Sequence, residues 1–505
     1  MVWNEGYVAE INYTYGFYGE LSPLKLSLAT AIKSIHPPDL EESFNYCELA
    51  CGRGYTTNLL ASCYPHAQFY ANDFNPNHIH EAQKLAQSAG SQNVHFFDDS
   101  FSEFIEQDLP SFDFIVLHGI YSWITAENRQ AIVNFIRKKL KVGGLVYISY
   151  NALPGWATAM PMQGLMIRYR QHSSEPILES IENALNFTGQ LLEANAGYFT
   201  QNPALKSRYE NLKQQNRHYL AHEYFNEEWN SFYFDQVAQE LEEAKLNFVG
   251  SAQVIDYVDI LNLSETAQQQ LKQIKDATYR EVVRDFFLNT QFRRDIFARG
   301  QLSMTPPQHI KVIENIRYAL IVPLNAVKLD HTFIVGNVTL QKEIYTPICE
   351  LLAESSLTMK ELHDNPRLNS TPINNLYQAL IVLTGIGYVH PAVDEETCQQ
   401  RQQFTNGFNI AVIEKAFVSD EMNFLASPLI GTGVSVSSIE QLLLFAKSQG
   451  EDGVNFVWQL FSSQGKKLIK ENKVLETPQE NIAHIKDIAK EFYTNRLPVL
   501  EKLGI

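Results

Sequence analysis

The chain has 505 residues, too many for one ordinary core, which predicts about three domains. Hydrophobic residues make up 45% and aromatics 12%, enough to fill sizeable cores and to exclude a disordered chain. The formal net charge of −17 lacks the basic footprint of a nucleic-acid binder and leaves an acidic surface that suits a basic partner or serves solubility alone.

The opening stretch MVWNEGYVAEINYTYG has neither a basic region nor an apolar run, so no signal peptide is expected. No apolar run reaches the length of a membrane span. Cys47, Cys51, Cys63, Cys349 and Cys398 form no paired framework, and the first three lack zinc spacing. A reduced, cytoplasmic protein with no metal site is expected.

From Phe44 to Tyr150 short apolar runs alternate with helical stretches. FNYCELA, AQFYAND, VHFFDD, FDFIVLHG and GGLVYISY read as strands; TTNLLASCY, NHIHEAQKLAQSAG and ENRQAIVNFIRKKL read as helices. That alternation predicts an α/β fold with a Rossmann-like, doubly wound parallel sheet and right-handed crossovers. Residues 171–299 read as mainly helical, with ILESIENALNFTGQLLEANA, FDQVAQELEEAKL and the run TAQQQ through QFRRDIFARG carrying apolar stripes at helical spacing. GQLSMTPPQ marks a boundary, since Gly300 and Pro306-Pro307 break any helix. Beyond it the pattern predicts three helices and a short GYVHPAV strand, the order of a winged helix. The would-be recognition helix TPINNLYQALIVLTGIG has no lysine or arginine to meet phosphates, so a packing or partner role is expected. Cys398 to Ile505 reads as mainly helical without a chemical motif. The expected division is 1–170, 171–300, 301–397 and 398–505.

YCELACGRGYTTNLL places a strand end at Glu48-Leu49, small residues at Ala50, Gly52 and Gly54, and a helix start near Thr56. Small residues let backbone approach a ligand, and the helix N-terminus adds a positive dipole end. Asp73 ends the second strand about 20 residues later, where a carboxylate holds ribose hydroxyls. Asp98 and Asp99 end the third, placed to accept a hydrogen bond from an adenine amino group. Each acid alone reads as a helix cap or solvated turn; together and in this order they point to an adenosine-containing cofactor. The third glycine of a dinucleotide site is replaced by Thr57, and no Walker lysine follows the turn. An acid before a short glycine turn suits S-adenosylmethionine, which is cationic and has no pyrophosphate.

ELACGRGYTTNLL, HGIYSWI and SYNALPGW, in this order, resemble the class I S-adenosylmethionine-dependent methyltransferases, and within them the group with a fused methyltransferase regulatory domain that includes bacterial protein-lysine methyltransferases. The resemblance continues into YLAHEYFNEEWNSFYFDQ and QFRRDIFARG and covers residues 13–300. It implies that Glu48 and the turn Ala50, Gly52 and Gly54 contact the methionine end of S-adenosyl-L-methionine. Asp73, with Phe74 beside it, would bind the ribose, and Asp99 with Ser100 the adenine. Tyr13 and Tyr18 are expected in a lid over the cofactor, with an aromatic packing stripe as their alternative. Ala50 departs from the family's glycine, which is tolerable with ordinary backbone angles.

His118, Tyr121 and Trp123 follow the fourth strand, where a doubly wound sheet opens its crevice; a turn role for His118 and a core role for Trp123 are the alternatives. His118 is a candidate on both the cofactor and the acceptor side. His218 and His222 have metal-ligand spacing but no third ligand, so a structural or substrate-channel role is expected. For a lysine acceptor the site must favour the neutral amine, which aromatic walls from Tyr121, Trp123, Tyr150 and Trp156 would do, with Asn151 accepting its hydrogen bond. The expected function is methylation of protein lysines. Small-molecule O-, N- or C-methylation and a non-catalytic partner-binding role stand as alternatives. The expected partner is a protein with accessible lysines or a small-molecule acceptor; nucleic acid is not expected, and a homodimer is compatible with the sequence.

Overall fold

A computed structural model describes residues 15–505 apart from Glu227 and Asn472. After a first helix, α1 (Pro23–Ile32), strands and helices alternate: β1 (Asn45–Leu49), α2 (Tyr55–Cys63), β2 (Gln68–Asn72), α3 (Pro76–Ala89), β3 (Val94–Phe97), α4 (Phe101–Phe104), β4 (Phe112–Leu117), α5 (Ala126–Lys139) and β5 (Leu140–Asn151). Two further strands, β6 (Leu246–Ser251) and β7 (Phe292–Arg299), complete a seven-stranded sheet of order β3-β2-β1-β4-β5-β7-β6. Strands β1 to β5 are mutually parallel; β7 runs antiparallel to β5, and β6 antiparallel to β7.

Local chemistry delimits the elements. Asn75 caps α3 by accepting from the Asn77 N–H, and Gly90 closes it in the left-handed region. Thr125 caps α5, and Arg137, Lys138 and Lys139 complement the negative end of its dipole. Strand side chains alternate between two cores. Tyr46, Phe114, Val116, Leu145 and Tyr147 enter one, and Cys47, Ile115, Leu117, Val146 and Ile148 the other.

The helical reading of QFRRDIFARG gives way to strand β7. Its charges looked like the polar face of a helix, yet Arg293 and Asp295 are buried partners. The Arg293 guanidinium donates to Asp295 (2.8 Å) and to both carboxylate oxygens of Asp285 (2.9 and 2.8 Å). A sheet-internal ion pair is polar in sequence and apolar in effect. The middle segment is therefore helical from Met160 to Tyr224 but contributes two strands to the sheet beyond it.

Past residue 300 the three expected helices are Lys342–Glu354, Met359–Asp364 and Ile373–Gly385, followed by a strand, Val389–Ala392. That strand pairs with Arg317–Leu320 in a small sheet completed by Leu357–Thr358. The uncharged helix Ile373–Gly385 packs inward: Leu376, Ala379 and Leu380 are buried, and Gly385 abuts Ile255. The last segment is mainly helical, and its 22-residue helix Glu395–Ala416 lies on α2 and α3. One contiguous core joins this C-terminal half to a face of the sheet. Among the described residues no helix is long and apolar enough to cross a membrane.

Candidate active site

Strands β1 and β4 are neighbours whose following connections leave to opposite sides, so a crevice opens beyond their carboxyl ends. Into it projects the turn after β1. Ala50, Gly52 and Gly54 all have left-handed backbone, with φ of 54°, 54° and 66°. Gly54 begins α2, and a Cβ there would collide with Ala82 and with the Phe96 ring (2.9 Å), so both conformation and space demand glycine. Ala50 does not have the ordinary angles expected of it. It sits in the region where a Cβ costs roughly 1–2 kcal/mol.

The turn is tied to the end of β2. The Cys51 N–H donates to Asn72 O (2.9 Å) and the Gly52 N–H to Asp73 Oδ2 (3.0 Å). Asp73 Oδ1 accepts from the Asn75 N–H (3.0 Å) and lies 3.2 Å from His78 Nδ1. Asp73 thus shapes the turn as well as facing the crevice.

One cavity gathers Tyr18, Glu48, Ala50, Gly52, Asp73, Phe74, Asp99, Ser100, His118 and Trp123. Gly54 shapes the turn from behind, and Tyr13 lies outside the described residues. Burial pushes the Glu48 carboxyl up to about 7; the Thr57 hydroxyl donated to it opposes the rise, and the charge of Asp73 adds to it. Burial also raises Asp99, against a hydrogen bond from Gln107 (2.9 Å). His118 is pushed down to about 4 by burial, which Glu20 opposes and Arg294 reinforces. At neutral pH its ring is uncharged.

Four expected acceptor residues do not line this cavity. Tyr121 is fully buried in the second core, and its hydroxyl donates to Glu240. Tyr150 is equally buried and donates to Asp295 Oδ2 (2.7 Å), completing the Arg293 network. Trp156 packs edge-on to Trp229, with the Arg208 guanidinium 3.9 Å from its ring centroid. Asn151 is buried at the end of β5, where its N–H donates to Ser122 Oγ (2.8 Å) and its O accepts from the Phe232 N–H (2.9 Å). The PGW turn is a clasp: the Gly155 N–H donates to Thr290 O (3.0 Å), and a Cβ at Gly155 would strike Asn289 O (2.5 Å). The reason is directional. Tyr121 and Tyr150 point into the second core and Trp156 into the helical one, whereas the crevice opens beside β1 and β4.

The structure adds Arg53 and Glu223, which the motifs did not single out, and brings His222, expected in a structural or substrate-channel role, to the same cavity. Arg53 lines the cavity, but its guanidinium is engaged by Glu81, lies 3.6 Å from Glu421 and stacks 3.4 Å from the Tyr15 ring centroid. His222 and Glu223, on the helix Arg217–Tyr224, also line the cavity, while His218 is not among the lining residues. A helical sequence pattern does not reveal which turn of a distant helix reaches the crevice, so Glu223 was invisible.

The donor set fits S-adenosylmethionine. Among the described residues Glu48, Asp73, Asp99 and Glu223 line the cavity, no lysine does, and the one arginine there, Arg53, is already paired. Such a site favours a cationic nucleoside over a phosphate.

Comparison with known proteins agrees. Residues 47–146 match the family model described as "Methyltransferase domain", and residues 216–299 the one described as "Predicted methyltransferase regulatory domain". The chain is 66% identical over its full length to the whole of "Uncharacterized protein sll1526" of Synechocystis sp.. It is 27% identical over 394 residues to "Uncharacterized protein RP789" of Rickettsia prowazekii, covering 74% of this chain and 70% of that one. The fold superposes on PKMT2 from Rickettsia typhi, solved in complex with AdoHcy, with a TM-score of 0.69 at 20% identity over 95% of this chain and 98% of the other. The chain belongs to the class I S-adenosylmethionine-dependent methyltransferases with a fused methyltransferase regulatory domain.

Proposed function

We propose that this methyltransferase acts on lysine side chains of a protein substrate. The observation that carries the reading is the cavity lining, which brings Tyr18 and Trp123 together with His118 and Glu223. A carboxylate among aromatic rings attracts a cationic side chain and tolerates the methylated ammonium product through cation–π contact. The overall charge of −17 favours a basic partner in the same way.

In this reading Asp73 and Asp99 hold the ribose and adenine, and Glu48 balances the charge at the methionine end. When bound, the cofactor supplies an electrophilic methyl group on a sulfonium. The protein's task is then to deliver a neutral amine in line with it, which positioning and desolvation accomplish. A free lysine amine has a pKa of about 10.4, and the apolar rings disfavour its charged form. His118, uncharged at neutral pH, accepts a hydrogen bond from the amine. We place this activity in the cytoplasm, on the strength of the five free cysteines.

The test is transfer of radiolabelled methyl from S-adenosylmethionine into a bacterial lysate, followed by acid hydrolysis. Label is expected as methyl-lysine in the protein fraction. Label confined to the small-molecule extract or to base-labile esters would overturn the lysine reading.

A further inference from the structure

Behind His118 lies a partly buried ion pair. Glu20 sits in the single helical turn Gly19–Leu21 just before α1, and its Oε1 lies 3.0 Å from Arg294 Nε on β7. The same oxygen lies 3.9 Å from His118 Nδ1. Nδ1 is also 2.8 Å from the Tyr147 hydroxyl and 3.4 Å from Ser149 Oγ, which itself accepts from the Gly119 N–H (2.8 Å). Tyr18 stacks on the imidazole at 3.9 Å between centroids, and Phe292 meets it edge-on at 5.9 Å. Two segments distant from His118 in sequence, Glu20 and strand β5, therefore meet at one ring nitrogen, and Arg294 reaches it through Glu20. The charged or titratable groups around Glu20, Arg294 and His118 include Lys25 on α1, Asp256, Tyr18 and Tyr147 on β5.

We propose that Glu20 and Arg294 are positioning residues that keep the His118 proton on Nδ1 and so leave the Nε2 lone pair to the acceptor amine. The inference rests on the acceptor-side assignment of His118 made above. A carboxylate near one ring nitrogen favours the tautomer with its proton there, and it stabilises the imidazolium when a second proton arrives. As the amine nitrogen forms its bond to the methyl carbon, the carbon–sulfur electron pair stays on sulfur. The N–H that this step acidifies is held by a hydrogen bond to Nε2 while its proton is lost to solvent. Burial raises the Glu20 carboxyl, but His118 when protonated and then Arg294 outweigh it and hold it below its usual range; Arg294 is the partner that stays charged while His118 is neutral. Arg294 belongs to the segment matching the regulatory domain, so that domain reaches the chemistry through this pair.

The experiment is 15N-histidine NMR of the full chain saturated with S-adenosylhomocysteine, with His118→Asn assigning the resonance. The expected spectrum shows protonated Nδ1 and bare Nε2 at neutral pH. Glu20→Gln is expected to lower the His118 titration midpoint, because the anion favouring imidazolium is gone. Arg294→Gln is expected to raise it, because the opposing cation is gone. In parallel, with poly-L-lysine as acceptor, Glu20→Gln should lower kcat about tenfold or more with the cofactor KM unchanged. A proton on Nε2 in the wild type, or one midpoint shared by all three proteins, overturns the proposal. If the midpoints move as expected but wild type leaves poly-L-lysine unmethylated, the pair stands and the lysine reading fails.

Discussion

Ala50 and Glu48 carry the residue-scale consequences. Ala50 occupies a left-handed position (φ 54°) for which glycine has no steric penalty. Ala50→Gly is expected to stabilise the protein by about 0.5–1 kcal/mol, since glycine's extra unfolded-state freedom offsets part of the relief. A raised thermal midpoint with undiminished S-adenosylmethionine affinity would show it. Glu48 titrates near 7 because burial disfavours its charge. A raised carboxyl binds a cation only when deprotonated, so cofactor affinity should be full above pH 7 and fall as pH drops below it. The decline approaches about tenfold per pH unit, and calorimetry between pH 5.5 and about 8 would follow it. Glu48→Gln should abolish that slope.

At the scale of elements, β7 explains why an aromatic assignment moved. The Tyr150 hydroxyl ends on Asp295, which with Asp285 neutralises Arg293 inside the sheet layer. Tyr150→Phe is expected to cost about 1.5–3 kcal/mol, as loss of a buried hydrogen bond to a charged group. Cofactor affinity should be unchanged; urea denaturation together with calorimetry separates the two effects. Arg293→Ala leaves two buried carboxylates unpaired and should cost about 3–5 kcal/mol by the same measurement. The alternation of β1 to β5 with helices was legible, because apolar runs with period two and helices with a 3.6-residue stripe are local patterns. Strand β7 was not, because Arg293 and Asp295 look solvated until the partner carboxylate arrives from eight residues upstream.

Across the whole molecule, the C-terminal segment is part of the cofactor site's support. Tyr55, at the start of α2, donates its hydroxyl to Phe424 O (2.5 Å) and accepts from the Phe424 N–H (2.9 Å). The helix Glu395–Ala416 approaches so closely that a Cβ at Gly407 would lie 2.7 Å from Ala89 O. Arg401 covers the Tyr64 ring at 4.4 Å from its centroid, and Glu421 approaches Arg53 in the turn itself. Gly407→Val should therefore push this helix off α2 and α3 and weaken S-adenosylmethionine binding at a distance from the cavity. Unchanged affinity by calorimetry would show that the two parts are uncoupled.

By itself the sequence determined the order of β1 to β5, the glycine turn, and the acids ending three successive strands. Each depends on neighbours within a few residues: strand periodicity, positive φ, and a helix start. Tertiary structure decided the rest, because which side chains share a cavity depends on the direction each leaves its element. It placed Tyr121 and Tyr150 in the core behind the sheet, Trp156 in the helical core and Asn151 at the buried end of β5. It also brought Glu20, Arg294 and Glu223, from three separate segments, to the wall around His118 and Trp123.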